Sequence, residues 1–412
     1  VSRDSTTRLL VLWCAFLLVH LLTALLGWVY PSQPMGDVVL VYEPWASAAL
    51  GGGPIVGISE TWVYPQLALL PMLLAAGLAA PLVPVLGVSS AYLVGWAVLV
   101  IVLDAIAFGV LVGRSPSHAR RVAAWFWCGA VLLLGPIALY RIDAITVPLA
   151  VMGGLWLVKR PMVAAALLTA GAWIKIWPGA LVLAAVVSVR ARLRVLLGAV
   201  VVTGGVLALL LLLGADMEIL GFLTEQTGRG LQIEAVAATP FLWLAVAGAA
   251  RIEYSFEILT FQVTAPGVDA VAAALTPLMV VCVGVVTAIG AVKAMRGAAF
   301  PRLFPPLALT LVALLIVTNK VGSPQFQTWL IAPVVLWIVL DRARARIPAV
   351  IVLALCLLTC LVYPLGYDAL LRAEALPVAV LTVRNVLLIV LLVLGLRALL
   401  RVPAARHPKP RE

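Results

Sequence analysis

The chain has 412 residues, 64% of them hydrophobic and 11% charged, with a mean hydropathy of +1.17; soluble domains are about 45–50% apolar and about 25% charged. That composition excludes a water-soluble enzyme, and apolar runs such as 206–214 do not alternate, which excludes a transmembrane β-barrel. The formal charge of +11 falls between the apolar runs rather than on one basic patch, so nucleic acid is not an expected partner.

In chain order, apolar segments lie near 9–29, 90–113, 122–140, 144–158, 162–174, 177–189, 195–214, 269–292, 303–318, 327–340, 347–365 and 377–400. Each is predicted to cross the bilayer as a helix. The expected fold is therefore an all-α polytopic membrane protein of about twelve transmembrane helices, one membrane domain over 1–402. Arg3 and Arg8 precede the first segment as they would a signal peptide, but its length and the lack of a small-residue cleavage site favour a retained anchor. A first external loop spans 30–89. Within it, 62–86 is interrupted by Pro65, Pro71, Pro81 and Pro84, so short helices in the outer interface are expected rather than a crossing. A second external segment covers 215–268, with a juxtamembrane helix at 236–250 and extended chain at 253–263, where aromatic and branched residues partly alternate. Residues 403–412 form a basic cytoplasmic tail.

Basic residues in short loops mark the cytoplasmic side. In this register 21 of the 28 lysines and arginines fall near 3–8, 114–121, 159–160, 190–194, 293–302, 342–346 and 397–411, while 13 of the 17 acids fall on the other side. Both termini of a plasma-membrane protein are thus expected in the cytoplasm. Segments 144–158, 162–174, 177–189 and 327–340 are shorter than a usual span, so their outer ends are expected to line a water-filled extracytoplasmic cavity.

Ionisable groups at these outer helix ends are costly unless paired or solvated, which makes them functional candidates. They are Asp37 and Glu43 after the first span, Arg141 and Asp143 in RID, Lys175 in WIKIWPG, Arg229 and Glu234 in TGRGLQIE, and Lys320 in TNKVGSPQFQTW. A carboxylate at the lip of such a cavity can take the proton of an attacking hydroxyl. Cations there can hold a phosphate and offset charge developing on a leaving phosphate. Aromatic side chains such as Trp45, Trp62, Tyr64, Trp173, Trp177 and Trp329 offer flat faces to sugar rings, although interfacial aromatic belts occur without any ligand. Together these residue types point to transfer of a lipid-phosphate-linked group outside the cytoplasm. Asp104, inside the second span, is the main feature favouring a lipid-linked-sugar transporter or flippase instead; a helix-packing hydrogen bond is its plainer reading. The five cysteines lie in apolar segments and the three histidines are far apart. With no DxD tripeptide and no compact acidic cluster, no metal or other cofactor is expected.

The order GDVVLVYEPWASAALGGG, YPQLALLP, RID, IKIWPG, GRGLQIE and NKVGSPQFQTWL resembles the actinobacterial polyprenyl-phosphate-sugar-dependent glycosyltransferases of the C superfamily, specifically glycosyltransferase family 87, over about 1–400. The resemblance implies an enzyme that moves a monosaccharide, commonly mannose, from polyprenyl phosphate to a glycolipid or lipoglycan acceptor on the outer membrane face, with inversion. Arabinofuranosyl transfer from polyprenyl-phosphate arabinose is the alternative within the family. The family's first-loop aspartate, its general base, falls on Asp37, with Glu43 as the alternative base or a supporting group. By analogy of location, Arg141, Lys175, Lys320 and Arg229 hold the donor phosphate. Asp143, Tyr64, Trp62, Glu234, Gln325 and Trp329 are expected around the substrates. Tyr-Pro-Gln at 64–66 replaces the frequent Tyr-Pro-Pro, and the GGGPI turn lacks a tyrosine after its proline, which bears on acceptor identity.

Overall fold

A computed structural model describes residues 3–216, 219, 221–224, 230–255 and 260–403. The chain opens with α1 (Arg3–Val29), then a π-helical turn (Val38–Tyr42) that runs into α2 (Glu43–Leu50). Next come α3 (Leu69–Ala79), α4 (Val83–Leu86), α5 (Val88–Val112) and α6 (His118–Leu134). Three short helices, α7 (Ile142–Trp156), α8 (Pro161–Ile174) and α9 (Pro178–Ser188), precede the longer α10 (Arg192–Leu212). After α11 (Gly221–Thr224) and α12 (Thr239–Val246), strands β1 (Arg251–Ser255) and β2 (Thr260–Thr264) form an antiparallel hairpin, with Arg251 opposite Thr264. The chain ends with α13 (Val268–Met295), α14 (Phe300–Val317), α15 (Ile331–Cys360), α16 (Tyr367–Leu371) and α17 (Ala375–Leu400).

Among the described residues, nine helical stretches are long and apolar enough to cross a membrane. Large apolar side chains such as Leu18, Val200 and Val280 are more than half exposed on α1, α10 and α13. A surface of that kind suits lipid and would be a liability in water. The protein is an all-α polytopic membrane protein carrying one small hairpin, whose strands at 251–255 and 260–264 overlap the extended chain expected at 253–263.

Local signals explain where the helices begin and end. The Ser117 hydroxyl accepts from the Arg120 amide at 3.3 Å and caps α6. Pro161 and Pro178 open α8 and α9, where a missing amide proton costs no helical bond. Asp341, at φ −152° and ψ 70°, breaks α15 into two helices, which correspond to the separate segments expected at 327–340 and 347–365.

Residues 66–86 are helical throughout, in short pieces, with Pro71, Pro81 and Pro84 in their first turns. Length and composition alone would let this stretch cross a bilayer. Its contacts place it beside the first half of α5: Tyr92 Oη donates to Met72 O at 3.0 Å, and Gly95 packs on Ala75 and Ala79. A side chain at Gly95 would approach Ala75 O to 2.5 Å, so the close approach requires glycine.

The basic loops gather at one end of the bundle. Arg8 and Arg121 share a hollow there, as do Arg190 with the 297–300 turn, and Arg302 with Asp341 and Arg397. Helices α6 and α15 run parallel, Gly129 facing Leu353 and Gly135 facing Cys360, which brings 118–121 to the level of 342–346. Lys293 Nζ donates to Leu400 O at 2.5 Å and Val402 O at 2.9 Å, a cation on the negative end of α17. The opposite end holds the loops that carry Asp37, Arg141, Lys175 and Lys320.

Candidate functional site

The chain leaves α1 through a turn in which Ser32 (φ 58°) and Gln33 (φ 48°) adopt left-handed backbone, an uncommon conformation for non-glycine residues. The turn aims two carbonyls at Tyr363: its Oη lies 3.1 Å from Ser32 O and 3.3 Å from Gln33 O, and it accepts from Arg141 Nη2 at 3.2 Å. The other guanidinium arm, Arg141 Nη1, lies 3.1 Å from Asp37 Oδ1. The arginine side chain is 5% exposed and the aspartate 37%, so the pair spans the boundary between the interior and an open surface. Burial opposes the charge on Arg141, but Asp37 and the phenols of Tyr363 and Tyr42 outweigh it and hold its pKa above the ordinary value. Arg141 Nε is buried with no hydrogen-bond partner, so the guanidinium keeps a free donor.

Tyr42 fixes this arrangement from below. Its Oη accepts from the Ile142 amide at 3.1 Å, joining the π-helical turn after Asp37 to the start of α7 after Arg141. Tyr42 also packs edge-on against Tyr64, with ring centroids 6.5 Å apart. Burial raises the Tyr64 phenol above its usual 10, and the charges of Asp37 and Asp143 push the same way. Lys175 Nζ sits 4.4 Å from the centre of the Tyr64 ring, within cation–π range. Trp62 is buried edge-on behind Tyr64, with centroids 5.6 Å apart.

Tyr64, Lys175, Lys320, Gln325 and Trp329 line one cavity of about 320 Å³. Lys175 and Ile176 bring to it the turn between α8 and α9, helices of 14 and 11 residues. At 1.5 Å per residue these reach about 21 and about 17 Å, well short of a hydrocarbon core. Trp329 also contacts the acid of the RID tripeptide: its Nε1 donates to Asp143 Oδ1 at 2.6 Å. Asp143 is fully buried in the first turn of α7, where a helix N-terminus favours negative charge, and its Oδ2 has no partner. Trp177 stacks on Trp329 and donates to Thr146 Oγ1 at 2.8 Å, which bonds back to Asp143 O at 2.6 Å.

The remaining expected residues stand apart. Glu234 does not line the cavity; it is 1% exposed and paired with Arg384 Nη1 at 2.7 Å. Arg384 Nη2 also donates to Glu234 O at 2.6 Å and to Asn385 Oδ1 at 2.9 Å. Burial pushes the Glu234 carboxyl up, and Arg384 pulls it the other way. Gln232 Oε1 accepts from both Glu234 N and Gly322 N, and Gln232 N donates to Lys320 O. Glu234 thus anchors the strap that holds the Lys320 loop. Glu43, the first residue of α2, has one buried oxygen lacking a partner, and the carboxylate paired with Arg141 is that of Asp37. Arg229 lies outside the described residues. Asp104 bonds His20 Nε2 at 3.1 Å, a contact between α1 and α5 as the helix-packing reading requires.

Tyr42, Tyr363, Gln232 and Arg384 were not singled out by the sequence. Arg384 alone carried a signal, an ionisable group inside an expected span. Among the described residues no three His, Cys, Asp or Glu side chains converge as metal ligands. What the arrangement offers an incoming molecule is a half-exposed carboxylate on a buried guanidinium, next to an aromatic-lined cavity holding two lysines. Comparison with known protein families, characterised proteins and solved structures finds no match to this chain.

Proposed function

We propose that this chain is a membrane glycosyltransferase that moves a sugar from polyprenyl phosphate to a glycolipid or lipoglycan acceptor on the outer face of the plasma membrane. One observation carries the reading: Asp37 and Arg141, 104 residues apart in sequence, form an ion pair at the lip of the bundle end that also holds Lys175 and Lys320. The acceptor hydroxyl gives its proton to the Asp37 carboxylate as its oxygen bonds to the anomeric carbon. The bond from that carbon to the phosphate oxygen breaks, and polyprenyl phosphate leaves with one more negative charge. Lys175 and Lys320 face that charge across the cavity, and the unpartnered Arg141 Nε supplies a further donor. Attack opposite the leaving phosphate inverts the sugar configuration. Mannose is the sugar favoured by the family resemblance, with arabinofuranose the alternative.

Twelve crossings and cytoplasmic termini belong to this proposal. The gathering of basic loops at one end supports them, as do the division of α15 at Asp341 and the lodging of 66–86 against the half of α5 that adjoins it. The test is incubation of the purified chain in detergent with polyprenyl-phosphate mannose and candidate glycolipid acceptors. Covalent mannosyl product supports the transferase. Movement of lipid-linked sugar across a sealed bilayer, with no product in detergent, would replace it with a transporter.

A further inference from the structure

A second cavity, of about 510 Å³, lies at the end of the bundle away from Asp37. It is larger than the one at the Tyr64 end and differs in its chemistry. The break in α15 shapes it. Asp341 departs from helical backbone and accepts from Arg302 Nη1 at 2.9 Å and Arg344 Nη1 at 3.0 Å, so one carboxylate is shared by two guanidinium groups. Arg397 and Arg401, one helical turn apart at the end of α17, line the same cavity, and neither has an acidic partner among the described residues. Four arginines and one aspartate therefore line it, two of the arginines paired with the aspartate. The rest of the wall is largely apolar, with Pro306, Trp337, Ile347 and Leu394 from three different helices.

We propose that this cavity is a binding site for one anionic glycerophospholipid, its phosphate held by Arg397 and Arg401 and its chains laid on the apolar wall. Paired guanidinium groups recognise phosphate oxygens through charge-assisted bonds. Basic pockets between helices at the cytoplasmic face are where anionic headgroups collect. A soluble phosphate would use the cations and leave the apolar wall bare, whereas a lipid in the adjoining leaflet satisfies both. The site lies across the length of α14 from Lys320, about 27 Å for 18 residues. It shares with the sugar-transfer reading only the sidedness of the basic loops and none of its site residues, so loss of lipid preference and loss of sugar transfer are separate outcomes.

The experiment places the full chain in phosphatidylcholine nanodiscs doped with phosphatidylglycerol and reads retained lipid by native mass spectrometry. The wild type should retain phosphatidylglycerol in preference to phosphatidylcholine. Arg397→Gln with Arg401→Gln should weaken that retention by roughly five-fold per arginine, about thirty-fold together. The pair Arg397→Lys and Arg401→Lys keeps the charge and should keep most of the preference, which separates charge loss from misfolding. Thermal unfolding in pure phosphatidylcholine checks the fold of each variant. Equal retention of the two lipids by the wild type overturns the proposal, as does an unchanged preference in the folded double-glutamine variant. Displacement of phosphatidylglycerol by inorganic phosphate or glycerol 3-phosphate would assign the arginines to a soluble anion and overturn it too.

Discussion

Replacing Glu234 by glutamine keeps its shape and removes its charge, which isolates what the Glu234–Arg384 pair does. Both side chains are 1% exposed, so neither charge has water to fall back on. Arg384 Nη2 keeps the Glu234 carbonyl and Asn385 Oδ1, but Nη1 loses its 2.7 Å contact with an anion. Breaking one side of a buried pair costs about 3–5 kcal/mol, because the surviving charge stays buried. At roughly 2 °C per kcal/mol for a large domain, thermal unfolding in detergent should fall by about 6 °C or more. Taking both charges out of water offsets most of their mutual attraction, so the pair as a whole adds little net stability. Glu234→Leu combined with Arg384→Met should accordingly recover most of the loss. The Gln232 bonds to Glu234 N and Gly322 N tie this pair to the Lys320 loop, so the single variant should also weaken donor use. A Glu234→Gln protein as stable as the wild type, or a double variant worse than the single, would refute the reasoning.

Further tests address the cavity and the packing. Lys175→Gln and Lys320→Gln should each raise the donor KM roughly ten-fold, as expected for loss of a charge-assisted bond, with the acceptor KM little changed in steady-state assays. Tyr64, whose pKa is raised by burial and by the acids beside it, contributes stability that is complete below pH 10 and declines as pH rises past that value. Tyr64→Phe should therefore flatten part of the alkaline loss in a pH series of unfolding temperatures. A methyl group at Gly198 would lie 2.5 Å from Met162 O, so Gly198→Ala should destabilise the α8–α10 packing by about 1–3 kcal/mol. Gly205→Ala on the same helix meets nothing within 4 Å and should be neutral or slightly stabilising in the same unfolding assay.

The helices were readable in the sequence because an apolar run bounded by charge and proline has few other places to go. The two helices within 331–360 were legible because Asp341 and three arginines separate two apolar runs. Five expected cavity residues, Tyr64, Lys175, Lys320, Gln325 and Trp329, share one cavity because all sit at helix ends on one side. Partnerships were less visible. Arg384 and Glu234 are 150 residues apart, and no spacing rule joins them. Tyr363 lies in an apolar run, and only the left-handed turn at Ser32 and Gln33 explains its role. Glu43 follows Asp37 by six residues across a wide π-helical turn, and six residues is not a whole number of turns, so the two acids leave the chain on different faces.

The claim that Asp37 accepts the proton of the acceptor hydroxyl is tested most directly by Asp37→Asn, with donor binding and sugar transfer measured on one preparation. The account predicts that polyprenyl-phosphate mannose still binds, since the cavity lysines are untouched, while transfer falls by roughly 10²–10⁴-fold, the usual contribution of a general base. Wild-type turnover by that variant, or a loss of donor binding equal to the loss of transfer, would contradict it.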